Sequence, residues 1–191
     1  MKAVMLSIRP QWVEKIVNGE KTIEVRKSRP NIETPFKCYI YATAGKPYLY
    51  KNPNKGEVFL DRDLYRGGSY EERFLSGKVI GEFVCDGIEG GFWLEPWANY
   101  LQKQSCLTWE EINKYGKGEK LYGWHISDLK IYDKPKELMK FFVKGACYAK
   151  LCYKCDHYIP SGSYYEQGDC LNYSLKPLSR PPQSWCYVEE N

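Results

Sequence analysis

The eleven residues Gly19-Glu20-Lys21-Thr22-Ile23-Glu24-Val25-Arg26-Lys27-Ser28-Arg29 constrain this chain more than any other stretch. They combine a helix stop, a strand and a dense set of ionisable side chains. Pro10 suits a first helical position, because its fixed φ fits a helix and its missing N–H would have no partner there. Gly19 suits the left-handed turn that ends a helix. Between them Trp12, Val13, Ile16 and Val17 recur at helical spacing and give one apolar face. After Gly19 the period changes to two. Ile23 and Val25 point one way, and Thr22, Glu24 and Arg26 the other. A carboxylate and a guanidinium therefore share a strand face, with Lys21 and Lys27 at the strand ends. Strict alternation puts both lysines on the Ile23/Val25 side, although a long stem at a strand end is free to swing round.

Charge is concentrated at this motif. The 191-residue chain carries a net +4, and residues 1–40 hold eight Lys/Arg against four Asp/Glu, so they account for the whole surplus. A focused basic patch, Arg9 and Lys27 included, attracts phosphates or other anions; the competing reading is a solvated basic face. The length suits one large domain, or one ordinary domain with a small appendage. No apolar run approaches the ~20 residues of a membrane span. The amino-terminal apolar run is too short for a signal peptide and reads as a first strand. These features predict a cytoplasmic protein with no membrane partner.

The rest of the chain reads as strands separated by turn signals, with few helices. Lys2–Ile8, Phe36–Thr43, Lys78–Ile88 and Leu121–Tyr132 carry the strand patterns, and Gly81 marks a bulge or bend. Thr108 caps a helix to about Lys114, with Glu110 and Glu111 in its first turn. Residues 44–77 read as a long, partly irregular insertion. Pro135 opens a short helical segment over 136–142. The predicted class is α+β, a small mixed β-barrel with short flanking helices over 1–144, followed by a Cys-rich extension over 145–191.

The extension has its own grammar. Cys152 and Cys155 stand two residues apart, followed by Cys170 and Cys186, among Tyr, Gly and Pro. A pair at that spacing lets both thiolates reach one ion. Thiols in the cytoplasm stay mostly reduced. A segment so poor in aliphatics gains little from a core of its own. These points predict a structural Zn²⁺ held by Cys152, Cys155, Cys170 and Cys186, with His157 and Cys147 as spare ligands. Cysteines packed against the main domain, or paired as disulfides, are the competing account.

At the motif, Gly19-x-Lys21-x-x-Glu24-x-Arg26 after an amphipathic helix resembles the G-x-K-x-x-E-x-R signature of ASCH domains, members of the PUA-like superfamily of small β-barrels. Lys78-Val79-Ile80-Gly81-Glu82-Phe83 and Tyr122-Gly123-Trp124-His125-Ile126 are similar to that family's later strands. The resemblance spans roughly residues 1–140. The segment from Pro181 to Glu189 also resembles ASCH proteins of Firmicutes bacteria and their phages. The family implies a cleft, lined by the motif, that suits RNA or a nucleotide. Some relatives remove the acetyl group of N4-acetylcytidine with a motif lysine, a threonine three residues on and a later glutamate. Lys21 matches the lysine, while Glu24 stands at the threonine position. Ribonuclease activity is also associated with the family.

Three function classes follow. The first is binding of RNA, a nucleotide or a nucleoside by Lys21, Glu24, Arg26, Lys27 and Arg9, with Trp12 and Trp124 stacking on bases and His125 nearby. Arg26 offers a planar fork for phosphate, or a partner for Glu24. The second is a small hydrolase, acting on N4-acylated cytidine or on RNA, with Lys21 as the reactive amine and Glu24 beside it. The third is a phage interaction protein whose cleft is vestigial. No Ser or Cys partner stands at a spacing that would make His125 part of a nucleophilic triad.

Overall fold

The computed structural model describes residues 3–52, 54–64, 73–91, 97–144 and 175–190. In chain order the first half comprises β1 (Ala3–Ile8), α1 (Pro10–Val17), β2 (Ile23–Arg26), β3 (Phe36–Ala42), β4 (Tyr48–Lys51), β5 (Val58–Asp61), β6 (Lys78–Cys85) and β7 (Ile88–Gly91). The second half comprises α2 (Trp97–Ser105), α3 (Trp109–Gly116), β8 (Leu121–His125), β9 (Ser127–Lys136), a 3-10 turn (Leu138–Lys140), β10 (Phe141–Lys144), β11 (Leu175–Pro177) and β12 (Trp185–Glu190). The class is α+β and dominated by sheet. No helix among the described residues is long and apolar enough to cross a membrane.

The strands form a seven-stranded sheet in the order β11-β10-β12-β1-β3-β6-β9, a three-stranded sheet β2-β8-β7 and the hairpin β4-β5. Only β1 and β3 pair in parallel within these sheets; α1 and β2 lie in the connection between them. The barrel expected from the sequence is not formed. Among the described residues the large sheet is not closed, because β9 and β11 stand at opposite edges without pairing to each other. β12 takes the edge of β1 opposite β3, and β2 pairs with β8 instead. The helix expected over 136–142 is also corrected. β9 runs through Pro135 to Lys136, and one 3-10 turn follows. Proline is tolerated here because β9 is an edge strand.

β1 is the fourth of seven strands and is buried along its whole length. Its alternation splits the apolar interior. Val4, Leu6 and Ile8 join Val13 and Ile16 of α1, with Ile40, Phe83 and Trp124, in the main core. Ala3 and Met5 face a second cluster that includes Tyr39, Phe141 and Val188. A third, smaller cluster packs Ile23 and Val25 of β2 against Leu101 of α2, Ile112 of α3 and Leu121. Each large aliphatic buried this way contributes roughly 1.5–3 kcal/mol. The third cluster matters most for function. It turns one face of β2 inward and leaves Glu24 and Arg26 on the other.

Local signals place the helices. Pro10 stands at the start of α1 and Gly19 has φ +75°, as the sequence predicts. Thr108 caps α3, accepting from Glu111 N while the Glu111 carboxylate accepts from Thr108 N at 2.8 Å. The insertion over 44–77 contains the β4-β5 hairpin, whose Leu49 and Val58 are buried in the main core with Leu75. Residues 175–190 add β11 and β12 to the same sheet as β1.

Gly81 sits where the register of β6 against β9 shifts, and a Cβ there would lie 2.5 Å from the Lys130 carbonyl oxygen. Backbone cannot retreat as a flexible side chain can. Gly81→Ala is therefore expected to destabilise the fold by about 1–3 kcal/mol in urea denaturation; an unchanged midpoint would contradict the close approach.

Candidate functional site

Beside the motif strand lies a cleft of about 800 Å³. Its lining comes from the end of β1 (Ser7, Ile8, Arg9), α1 (Trp12), the motif (Lys21, Glu24, Val25, Arg26), Thr43, Leu107, α3 (Glu111, Lys114, Tyr115) and the segment Pro181-Pro182-Gln183-Ser184. The motif ions, with Ser7, Ile8 and Val25, form the buried part of this lining. Lys21, Glu24 and Arg26 are 2%, 7% and 6% exposed.

Glu24 bridges the two cations. Its Oε1 lies 3.0 Å from Arg26 Nη2 and its Oε2 lies 3.3 Å from Lys21 Nζ. Lys21 has swung to the Glu24 side of the strand, away from its strict-alternation position. The cause is visible in its other partners. Nζ donates to the carbonyls of Ile23 at 2.9 Å and Ser105 at 2.7 Å. With Glu24 these give three acceptors for the three N–H bonds of an ammonium. The Trp12 ring lies 5.5 Å from the same nitrogen. Arg26 reaches in the opposite direction. Its Nη2 donates to Ser7 O at 2.8 Å, and Nη1 reaches Ser184 O at 3.3 Å and Oγ at 3.4 Å. The triad thus joins the end of α2, the end of β1 and the segment before β12.

That last segment is held firmly. Ser7 N donates to Ser184 O at 3.0 Å, and Ser7 Oγ donates to Pro182 O at 2.6 Å. Across the cleft, burial pushes the Tyr115 phenol up from its ordinary range, with the Arg26 guanidinium opposing that shift. The cleft lining carries four cationic side chains (Arg9, Lys21, Arg26, Lys114) and two anionic ones (Glu24, Glu111), so it is net positive.

Of the residues proposed from sequence, the fold brings Arg9, Trp12, Lys21, Glu24 and Arg26 into this cleft. The other three lie elsewhere. Lys27 Nζ is 3.7 Å from Glu119 Oε2 and 5.5 Å from the Tyr115 ring. Trp124 is fully buried in the main core, edge-on to Phe36 with ring centroids 5.8 Å apart and near Trp185 at 5.9 Å. A ring so enclosed does not offer a face for stacking. His125 pairs with Ile23 in register and so faces away from Glu24; its Nε2 is 3.1 Å from Glu89 Oε1 and its Nδ1 3.8 Å from Asp86 Oδ1.

Of the proposed zinc ligands, Cys152, Cys155 and Cys170 lie outside the described residues, as do Cys147 and His157. Cys186 lies in β12 opposite Met5, half-buried against the second cluster, and burial pushes its thiol up to about 11. The sequence reading missed Ser7, Thr43, Leu107, Lys114, Tyr115 and the 181–184 wall. Glu111 carried a local signal through its place in the capping box, and Pro181–Glu189 through its resemblance, but neither pointed to the cleft.

Removing the Glu24 carboxylate leaves Lys21 and Arg26 buried together without a counter-charge. Glu24→Gln is expected to lower stability by roughly 3–5 kcal/mol in urea denaturation, the cost of breaking a buried ion pair. A loss below about 1 kcal/mol would mean that the triad contributes little.

No curated protein sequence matches the chain. Among solved structures, the ASCH protein from Zymomonas mobilis is similar, with 18% identity and a TM-score of 0.54 over 98% of this chain and 87% of that one. A serine-to-alanine mutant of the same protein gives 16% identity and a TM-score of 0.54 over 98% and 88%. These likenesses concern the fold. The ASCH domain family matches residues 6–136, which include the helix, the motif strand and all three ions of the triad. On that match, which covers more than half of its length, the chain belongs to the ASCH domain family.

Proposed function

We propose that the cleft binds RNA or a nucleotide-like ligand, its anionic groups drawn to the basic lining and its bases to the aromatic one. One observation carries this reading. A buried ion triad of net +1 lines a cleft of about 800 Å³, and Arg9 and Lys114, both exposed, add two further positive charges to that lining. Neither rim cation has a hydrogen bond or ion pair through its side chain among the described residues. They are available to phosphate oxygens in a way the motif ions are not. Trp12, half-buried at the same cleft, offers a ring for stacking.

The geometry supports binding better than hydrolysis by Lys21. A nucleophilic or basic amine needs a free lone pair. Here all three N–H bonds of the Lys21 ammonium have acceptors, two of them carbonyls fixed by the fold. Glu24, at the position where the deacetylating relatives carry a threonine, is itself occupied by both cations.

In fluorescence anisotropy with single-stranded RNA, affinity is expected to fall with salt. Each phosphate contact on a single strand contributes a slope of about −0.7 in log–log form. Arg9→Ala with Lys114→Ala is expected to reduce the slope by about 1.4 without lowering stability. Salt-independent binding, or no binding, would reject the reading.

We also propose a structural zinc site for the cysteine-rich region, with Cys152, Cys155, Cys170 and Cys186 as ligands. Support comes from the two-residue spacing of the first pair, which lets both thiolates reach one ion. Elemental analysis of protein purified without chelator is expected to find about one zinc per chain, reduced in Cys152→Ser. Zinc-free, folded protein would defeat it.

A further inference from the structure

The cleft lining divides into groups already satisfied by the protein and groups still open to a ligand. Lys21 and Glu24 are fully engaged with each other, with Arg26 and with backbone carbonyls. Glu111 is engaged by the Thr108 cap and Ser7 by Pro182. Gln183 is different. It lines the cleft, is exposed, and its carboxamide has no hydrogen-bond partner among the described residues.

Its backbone, by contrast, is pinned. The residues on either side are fixed by the Ser7 hydroxyl on Pro182 O at 2.6 Å, the Ser7 amide on Ser184 O at 3.0 Å and Arg26 Nη1 on Ser184 O at 3.3 Å. Two prolines precede it and restrict φ further. With the backbone already fixed, binding has only the side chain left to order. A carboxamide also presents one donor and one acceptor side by side, the pattern that pairs in bidentate fashion with a base edge. The surrounding open cations, Arg9 and Lys114, suit phosphate, which carries no sequence information.

We infer that Gln183 is the base-reading residue of this cleft, and that the segment Pro181–Ser184 sets which nucleotide the cleft accepts. The inference rests on the nucleic-acid reading above. It assigns specificity to a part of the chain outside residues 6–136, the span matched by the family. The motif triad then builds the site and fixes this wall through Arg26, the exposed cations supply affinity, and the carboxamide supplies selectivity.

The test uses the full chain and four homopolymeric RNA octamers, of A, C, G and U, measured by anisotropy at two salt concentrations. Wild type is expected to spread the four affinities. Gln183→Met keeps the length of the side chain and removes both polar atoms. It is expected to narrow that spread by about tenfold while leaving the salt slope unchanged. Gln183→Ala should do the same, and Gln183→Asn should restore part of the spread. A wild type that binds all four octamers with salt dependence but equal affinity would overturn the role of Gln183 and leave the binding reading intact. An unchanged spread in Gln183→Met would do so too. A wild type that binds none of them would reject the binding reading and this inference with it. Because the Gln183 side chain is exposed and has no hydrogen bond among the described residues, an unaltered melting curve separates lost reading from lost structure.

Discussion

A single carboxylate, Glu24, sits between two buried cations, and most of the site depends on it. Taking an ion out of water costs several kcal/mol even after the protein relaxes. Lys21 and Arg26 are both more than 90% buried, and neither would be held there alone. Glu24 offsets part of that cost for both, one oxygen to each. The carbonyls of Ile23, Ser105, Ser7 and Ser184 take up further N–H groups. Those four acceptors come from four parts of the chain. The ion triad is thus also the joint at which the motif strand, the end of α2, the end of β1 and the approach to β12 meet.

This arrangement changes what the motif means. Read as a sequence, G-x-K-x-x-E-x-R suggests chemistry performed by the lysine and arginine themselves. In the folded chain their hydrogen-bonding capacity is largely spent on the protein. They supply a fixed positive field at the buried side of the cleft, which attracts an anion without having to move. In the proposed reading, direct contact falls to groups whose bonds are still open, at the rim and on the 181–184 wall. A dense, largely satisfied network, in which Arg26 Nε alone of the triad's polar atoms is buried without a partner among the described residues, lies behind a sparse set of exposed donors and keeps geometry rigid where charge is buried.

The legible part of the fold was the part governed by short-range rules. Pro10 and Gly19 bounded α1, Thr108 with Glu111 fixed the start of α3, and alternation separated Glu24 and Arg26 from Ile23 and Val25. Gly81 marked a real irregularity of register. The illegible parts have physical causes. In α2 Leu101 joins the third cluster, but Gln102, Lys103 and Gln104 follow it directly, so the apolar pattern is weak. Trp124 and His125 are neighbours on a strand that pairs with the motif, and nothing local says that one enters the core and the other turns to Glu89 and Asp86. Barrel closure depends on which edge β12 takes, a choice made by pairing across nearly the whole chain.

The sequence by itself determined which side chains share a face. Period two after Gly19 put a carboxylate and a guanidinium together, and the local surplus of basic residues gave their surroundings a sign. Only the tertiary structure decided what those groups bond to. Lys21 leaves its alternation side because carbonyl acceptors 2 and 84 residues away are within reach. Arg26 finds Ser184 at a separation of 158 residues. Hydrogen bonds form between atoms that the fold makes neighbours, and periodicity along a chain carries no record of partners so distant.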